Sequence, residues 1–171
     1  MASNFLTISR VGLIPGLESK TAQFSRIYNE NCHRVYSLAF WMTDDEQVAE
    51  QVATNVFLRA FASGRPPSAE QIDRALLEEF RDLVTMEGLT LCCEASAESS
   101  SIGRNMKRVH LERAVVQLPA TEKLIFLLHD VEGYAHARIA RLLGITEGDC
   151  HLGLHQARLR VRELVSKIQQ T

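Results

Sequence analysis

The sequence predicts an all-α protein of two small helical domains joined by a flexible linker. Three observations carry that prediction. Apolar residues recur at three- and four-residue spacing along most of the chain. No stretch alternates as a half-buried strand would. A Ser- and Gly-bearing run over residues 88–105 separates two helix-rich halves. The 171 residues, 46% of them hydrophobic, suffice for one ordinary domain or two small ones. The expected division is an irregular N-terminal arm over 1–20, a helical domain over 21–88, a linker over 89–105 and a helix-turn-helix domain over 106–171.

The first 19 residues hold Gly12, Pro15 and Gly16 and show no period, hence the arm. Over 22–42, Phe24, Ile27, Tyr28, Val35, Leu38, Ala39 and Met42 mark one face of a helix. Thr43 followed three residues later by Glu46 has the form of a capping box. The helix after it turns Val48, Ala49, Val52, Val56, Phe57 and Ala60 inward. Residues 63–67, with two prolines, break the chain. Ser68 and Gln71 form a second capping box, opening a third helix to about Met86 with Ile72, Leu76, Phe80 and Leu83 inward. Beyond the linker a helix is expected over about 106–117. Leu118 and Pro119 start the next helix, with Pro tolerated in its first turn and Leu124, Ile125, Leu127 and Leu128 inward. Gly133 ends it.

The stretch that follows is the most informative. Ile139 and Ala140 lie on one helix, and Gly144 four residues later suits the left-handed backbone that ends it. Ile145 plugs the turn, and Thr146 caps a second helix with Leu154, Ala157 and Val161 on one face. The small Ala140 allows two helices to cross closely. This is a helix-turn-helix, an arrangement that sets its second helix into a DNA groove.

Formal net charge is only −2, but it is unevenly distributed. Residues 1–100 carry eight Lys/Arg against fourteen Asp/Glu, or −6, and residues 101–171 carry eleven against seven, or +4. Two halves with different partners would show this asymmetry. An acidic first half packed on a basic second half, hiding the recognition helix, is a physically reasonable closed form. Cys32, Cys92, Cys93 and Cys150 make no CxxC pair, and reduced thiols in a cytoplasm are expected. Neither a signal peptide nor an apolar run of about 18 residues is visible, so no membrane partner is expected. No carboxylate pair, Ser/His/Asp order or Gly-rich phosphate loop stands out, so neither an enzyme nor a cofactor is expected. His151 and His155 lie four apart beside Cys150, a spacing that can hold a metal. Without a third ligand nearby, surface or DNA-facing histidines are the preferred reading. Cys92 and Cys93 read as a chance pair, and Phe40 and Trp41 as packing residues.

In the second half, Leu118-Pro119, Glu132-Gly133-Tyr134, Ile139-Ala140, Leu143-Gly144-Ile145 and Leu154 to Arg158 follow a known order and spacing. In the first half, so do Tyr28, Val35 to Ala39, Asp44-Asp45, Ala49-Glu50, Val52 and Val56 to Ala60. Together they resemble the extracytoplasmic-function sigma factors, small bacterial initiation subunits of RNA polymerase. The resemblance covers about residues 22–64, like region 2, and 106–166, like region 4. It implies docking on core RNA polymerase through Asp45, Glu46, Ala49, Glu50, Thr54 and Phe57. It implies binding of the −35 element of promoter DNA through Glu147, His151, Leu152, His155, Arg158 and Arg162, and regulation by an anti-sigma factor.

The chain departs from that family's pattern in three places. Gln51 to Asn55 replace an acidic, Gln/Glu-bearing run. Residues 65–98 carry three Arg against eight acidic residues and only Phe80 as an aromatic, whereas a promoter-melting segment needs stacking surfaces and positive charge. His151, Gly153 and Gln156 stand where cations are common, leaving Arg158, Arg160 and Arg162 for phosphate. The alternative reading is therefore a degenerate sigma-like interaction module that regulates transcription without melting promoters.

Overall fold

A computed structural model describes residues 19–83 and 108–170. Within them lie seven helices and no strand: α1 (Lys20–Thr43), α2 (Glu46–Phe61), α3 (Ala69–Leu83), α4 (Arg108–Val116), α5 (Ala120–Phe126), α6 (His136–Leu143) and α7 (Glu147–Gln169). The expected arm up to residue 18, the linker over 89–105, Met86, Cys92 and Cys93 lie outside the described residues.

Each boundary has a local cause. Ser19 accepts a hydrogen bond from the Ala22 amide and opens α1. The turn into α2 differs from the expected Thr43–Glu46 box. The Thr43 hydroxyl instead donates to the Ala39 carbonyl at 2.8 Å, inside the last turn of α1. Asp44 takes the left-handed conformation (φ 55°), and Asp45 caps α2 by accepting from the Val48 amide at 3.0 Å. Aspartate tolerates that backbone better than most side chains, and the following carboxylate is a strong cap in its own right. The Ser68–Gln71 box forms as expected, with both reciprocal bonds present at 2.8 and 3.3 Å. Pro119 sits at the cap of α5, one residue before the helix proper. A π-helical turn, Leu127–Val131, continues α5 until Gly133 (φ 71°) ends it.

α1, α2 and α3 enclose Val35, Leu38, Val52, Val56, Ile72 and Phe80. α7 runs along α4, α5 and α6, closing a second group around Leu124, Ile125, Ile139, Leu154 and Val165. The apolar periodicity thus identified most of the interior. It missed the second buried side of α3, where Asp73, Leu77 and Glu79 are also covered. It also placed Leu83 inward, although that side chain is half exposed.

The reason is tertiary: α3 is covered by α2 on one side and α6 on the other. Asp73 accepts from Arg34 of α1 at 2.7 Å and from Arg138 of α6 at 2.6 Å. The Tyr134 hydroxyl donates to the same carboxylate at 3.1 Å. Glu79 is met by Arg59 at 2.6 Å and by Asn55 at 3.1 Å. The acidity of α3 is therefore matched by arginines of this same chain.

In the helix-turn-helix, the Gly144 (φ 73°) and Ile145 amides both donate to the Ala140 carbonyl, at 2.9 and 3.0 Å. Thr146 and Asp149 then form a reciprocal box that opens α7. A side chain at Gly144 would be strained whatever space surrounds it. Gly144→Ala should cost about 1 kcal/mol, and a thermal midpoint indistinguishable from that of the parent protein would count against the turn as described.

Candidate nucleic-acid interface and docking groove

The faces of α7 sort by solvent. Cys150, Gly153, Leu154, Ala157, Val161 and Val165 face the interior. Glu147, His151, His155, Arg158 and Arg162 are exposed, and Leu152 is half-buried at the border. Of the residues expected to meet DNA, five of six therefore lie together on an accessible face. The closed form expected to hide this helix is not what forms. The two halves touch through α1, α3, α4, α5 and α6, and the outer face of α7 stays open.

The exposed residues belong to a network that spacing could not reveal. The His151 ring stacks on His136 at the start of α6, 3.6 Å between centroids and 14° between planes. His136 lies 4.3 Å from His129 in the π-helical turn. His129 Nδ1 is 2.8 Å from Asp130, and Asp130 accepts from Arg158 at 2.6 and 3.0 Å. The Arg158 hydrogen bonds hold the Asp130 carboxyl below its ordinary range. Partial burial, then the neighbouring His151 and His129, pushes the His136 pKa down. Arg158 is thus oriented before any ligand arrives, and three imidazoles form a ladder beside it.

Two sequence expectations change here. Arg160, which the sequence offers as a phosphate-facing cation, lies 2.9 Å from Glu122, a carboxylate only 2% exposed whose pKa burial raises. Gly153 was treated as a missing surface cation, but its position faces the interior, where a Lys or Arg would meet the packed helices. Cys150 is fully buried, and burial pushes its thiol up, so it faces away from His151 and His155.

On the other half, α1 and α2 flank a groove of about 970 Å³ lined by Tyr28, Tyr36, Glu50, Thr54, Phe57 and Leu58 among others. Tyr28 and Leu58 are strongly exposed for apolar side chains. Tyr28 packs on Phe57 at 4.7 Å, and Phe57 on Phe61 at 5.7 Å. The residues expected to meet polymerase divide accordingly. Glu50 and Thr54 are exposed on its rim and Phe57 forms its floor. Asp45 and Glu46 are exposed at the start of α2, Asp45 as its cap. Ala49 is 0% exposed between α1 and α2, so it sets helix spacing and contacts no partner. The groove also uses Tyr28 and Leu58. Tyr28 was read as packing and Leu58 only as a motif position, although an exposed leucine beside a buried phenylalanine is the signal that would have singled it out.

Residues 108–161 match the family described as Sigma-70, region 4. Over 168 residues, covering 89% of this chain, the sequence is 23% identical to the ECF RNA polymerase sigma factor SigE of Mycolicibacterium smegmatis. The second half thus carries a sigma-70 region 4, and the chain as a whole is similar to an extracytoplasmic-function sigma factor. It spans 65% of the length of that relative. The fold is shared with the sigma factor RpoE of Bartonella quintana, solved in complex with the anti-sigma factor NepR. That likeness has a TM-score of 0.63 at 16% identity, over 84% of this chain and 97% of the other.

Region 4 here keeps the sigma-factor turn, Leu143-Gly144-Ile145, while its outer face carries an imidazole ladder and a pre-oriented arginine. The segment after the region 2-like helices departs further. Arg59 of α2 is bound by Glu78 at 3.0 Å and Glu79 at 2.6 Å, with Asp82 at 3.7 Å. Phe80, the single aromatic of that segment, is 0% exposed and cannot stack on a base. No helix among the described residues is long and apolar enough to cross a membrane.

Proposed function

We propose that this chain is a sigma-factor-like transcription initiation protein acting in the cytoplasm. In this reading it has two domains, 21–88 and 106–171, joined by a linker over 89–105. The groove between α1 and α2, with Asp45, Glu46, Glu50, Thr54 and Phe57, docks on core RNA polymerase. The outer face of α7 reads the −35 element of promoter DNA. The observation that carries the reading is the accessible face of Glu147, His151, His155, Arg158 and Arg162 on the second helix of a region 4 turn. The solved relative sits with an anti-sigma factor, which makes a protein of that class a proposed partner here.

A second reading has its own support. The burial of Phe80 and the engagement of the α3 acids by Arg34, Arg59 and Arg138 favour a regulator that binds polymerase without melting promoters. Run-off transcription from host genomic fragments with bacterial core polymerase separates the two. New start sites that require the protein support initiation. Core binding without transcripts supports the regulator, and neither would reject both.

Within the first reading, Arg158→Ala should weaken duplex binding about tenfold, within the range of a charged contact held in place in advance. The loss should be greater than for Arg160→Ala, whose side chain serves Glu122. Equal losses in a fluorescence-anisotropy titration would reject the assigned face.

A further inference from the structure

The carboxylate of Asp73 sits where the two halves of the molecule meet. Its side chain is 4% exposed, yet its ligands come from both halves: Arg34 of α1, Tyr134 just ahead of α6, and Arg138 in the first turn of α6. Arg34 also donates to the Tyr134 hydroxyl at 2.7 Å. The Arg138 guanidinium lies over the Tyr134 ring at 3.8 Å. Around this point the seam is thin. Leu77 of α3 and Leu142 of α6 line a cavity of about 280 Å³ together with charged residues including Glu78 and Arg141. Contacts within each half are far denser than those between them. The seam rests on ion pairs with open space beside them at this end, and on the meeting of α1 with α4 and α5 at the other, and a seam this small and polar is of the kind that separates.

We propose that Asp73 is an internal latch, a docking point on α3 that holds the Tyr134–Arg138 end of α6. Any partner that takes this face of α3 must displace α6. The geometry assigns the occupant through complementarity: one buried carboxylate with both oxygens filled, by an arginine from its own half and an arginine and a tyrosine from the other. When the latch opens on the α6 side, Asp73 keeps Arg34, so the α1–α3 group retains a paired buried charge. A competing partner would present what α6 presents, an arginine beside an aromatic hydroxyl. Closure withholds α3 and the start of α6, and leaves the outer face of α7 free.

The test is small-angle X-ray scattering on the full chain carrying Tyr134→Phe and Arg138→Ala together. The parent protein should scatter as a compact body. The double variant should show a radius of gyration larger by about 1.2-fold, the increase expected when two compact bodies of this size move apart, with helical ellipticity unchanged. Should the double variant lose ellipticity, Arg138→Ala alone serves in its place, because Asp73 then keeps both Arg34 and Tyr134. Arg138→Lys should stay compact. Superposable curves for parent and folded variant would overturn the latch.

A second readout rests on the DNA-binding function proposed above, and the scattering does not. Duplex affinity should change less than about twofold on opening, since α7 already faces outward. A gain of tenfold or more would mean that closure covers the recognition face, contrary to the inference. Loss of duplex binding in parent and variants alike would count against the proposed function, with the latch decided by the scattering.

Discussion

Asp73→Ala should destabilise the protein by about 3 kcal/mol, the lower end of what breaking a buried ion pair costs. The substitution removes a carboxylate that is 4% exposed and leaves two arginines facing each other across the space. The lower end applies because the remaining cations are not deeply buried, at 17% exposed for Arg34 and 39% for Arg138. Tyr134 adds to the loss, since burial first, with Asp73 also contributing, raises its pKa and keeps a hydroxyl whose acceptor would be gone. Asp73→Asn preserves volume and one acceptor, and should recover part of the loss. Urea unfolding followed by far-UV ellipticity measures both. A change below about 1 kcal/mol for the alanine variant, the range of surface pairs, would mean that Asp73 does not organise this seam.

DNA affinity should rise about threefold as pH falls from about 7.5 to 5.5, because His136, stacked in the ladder beside Arg158, gains a proton at the low end of that window and phosphate stabilises the charged ring. The His136 ring is faced by the rings of His129 and His151, with Glu147 and Arg158 nearby. Without DNA the dependence has the opposite sign. The folded pKa of His136 is lowered, so the folded chain binds fewer protons there than the unfolded one. Stability is full above the unfolded imidazole value of about 6.5 and declines as pH falls below it. The free protein should melt earlier at low pH while its complex with DNA tightens. His136→Gln should flatten both trends. An affinity independent of pH in the parent protein would sink the role of the ladder.

How much of this was legible in the residues depends on the length scale of the interaction. The helices were, because each rests on neighbours within four positions: Ser68 with Gln71, Thr146 with Asp149, Gly144 with Ala140. The outward positions on α7 were equally legible, since the buried stripe of Leu154, Ala157 and Val161 determines the opposite face. The cap of α2 was misassigned because Thr43, Asp44 and Asp45 all suit a helix start. Only the left-handed turn at Asp44 selects Asp45.

The sequence by itself determined the helical class, most of the buried stripes, the region 4 turn and the absence of a free aromatic in the third helix. Those depend on local backbone preference and on apolar spacing, which are properties of short segments. The tertiary structure alone decided which charges are available. Arg160 turns to the buried Glu122, Arg59 to the acids of α3, and Asp73 draws Arg34 and Arg138 from positions 39 residues before and 65 residues after it, whereas Arg158, steadied by Asp130, stays on the exposed face of α7. Charge pairing acts over a few ångströms in space, whatever the separation along the chain. A net charge of −6 facing +4 could therefore suggest that the halves attract, but only the fold could decide that they meet at Asp73 and leave the recognition helix open.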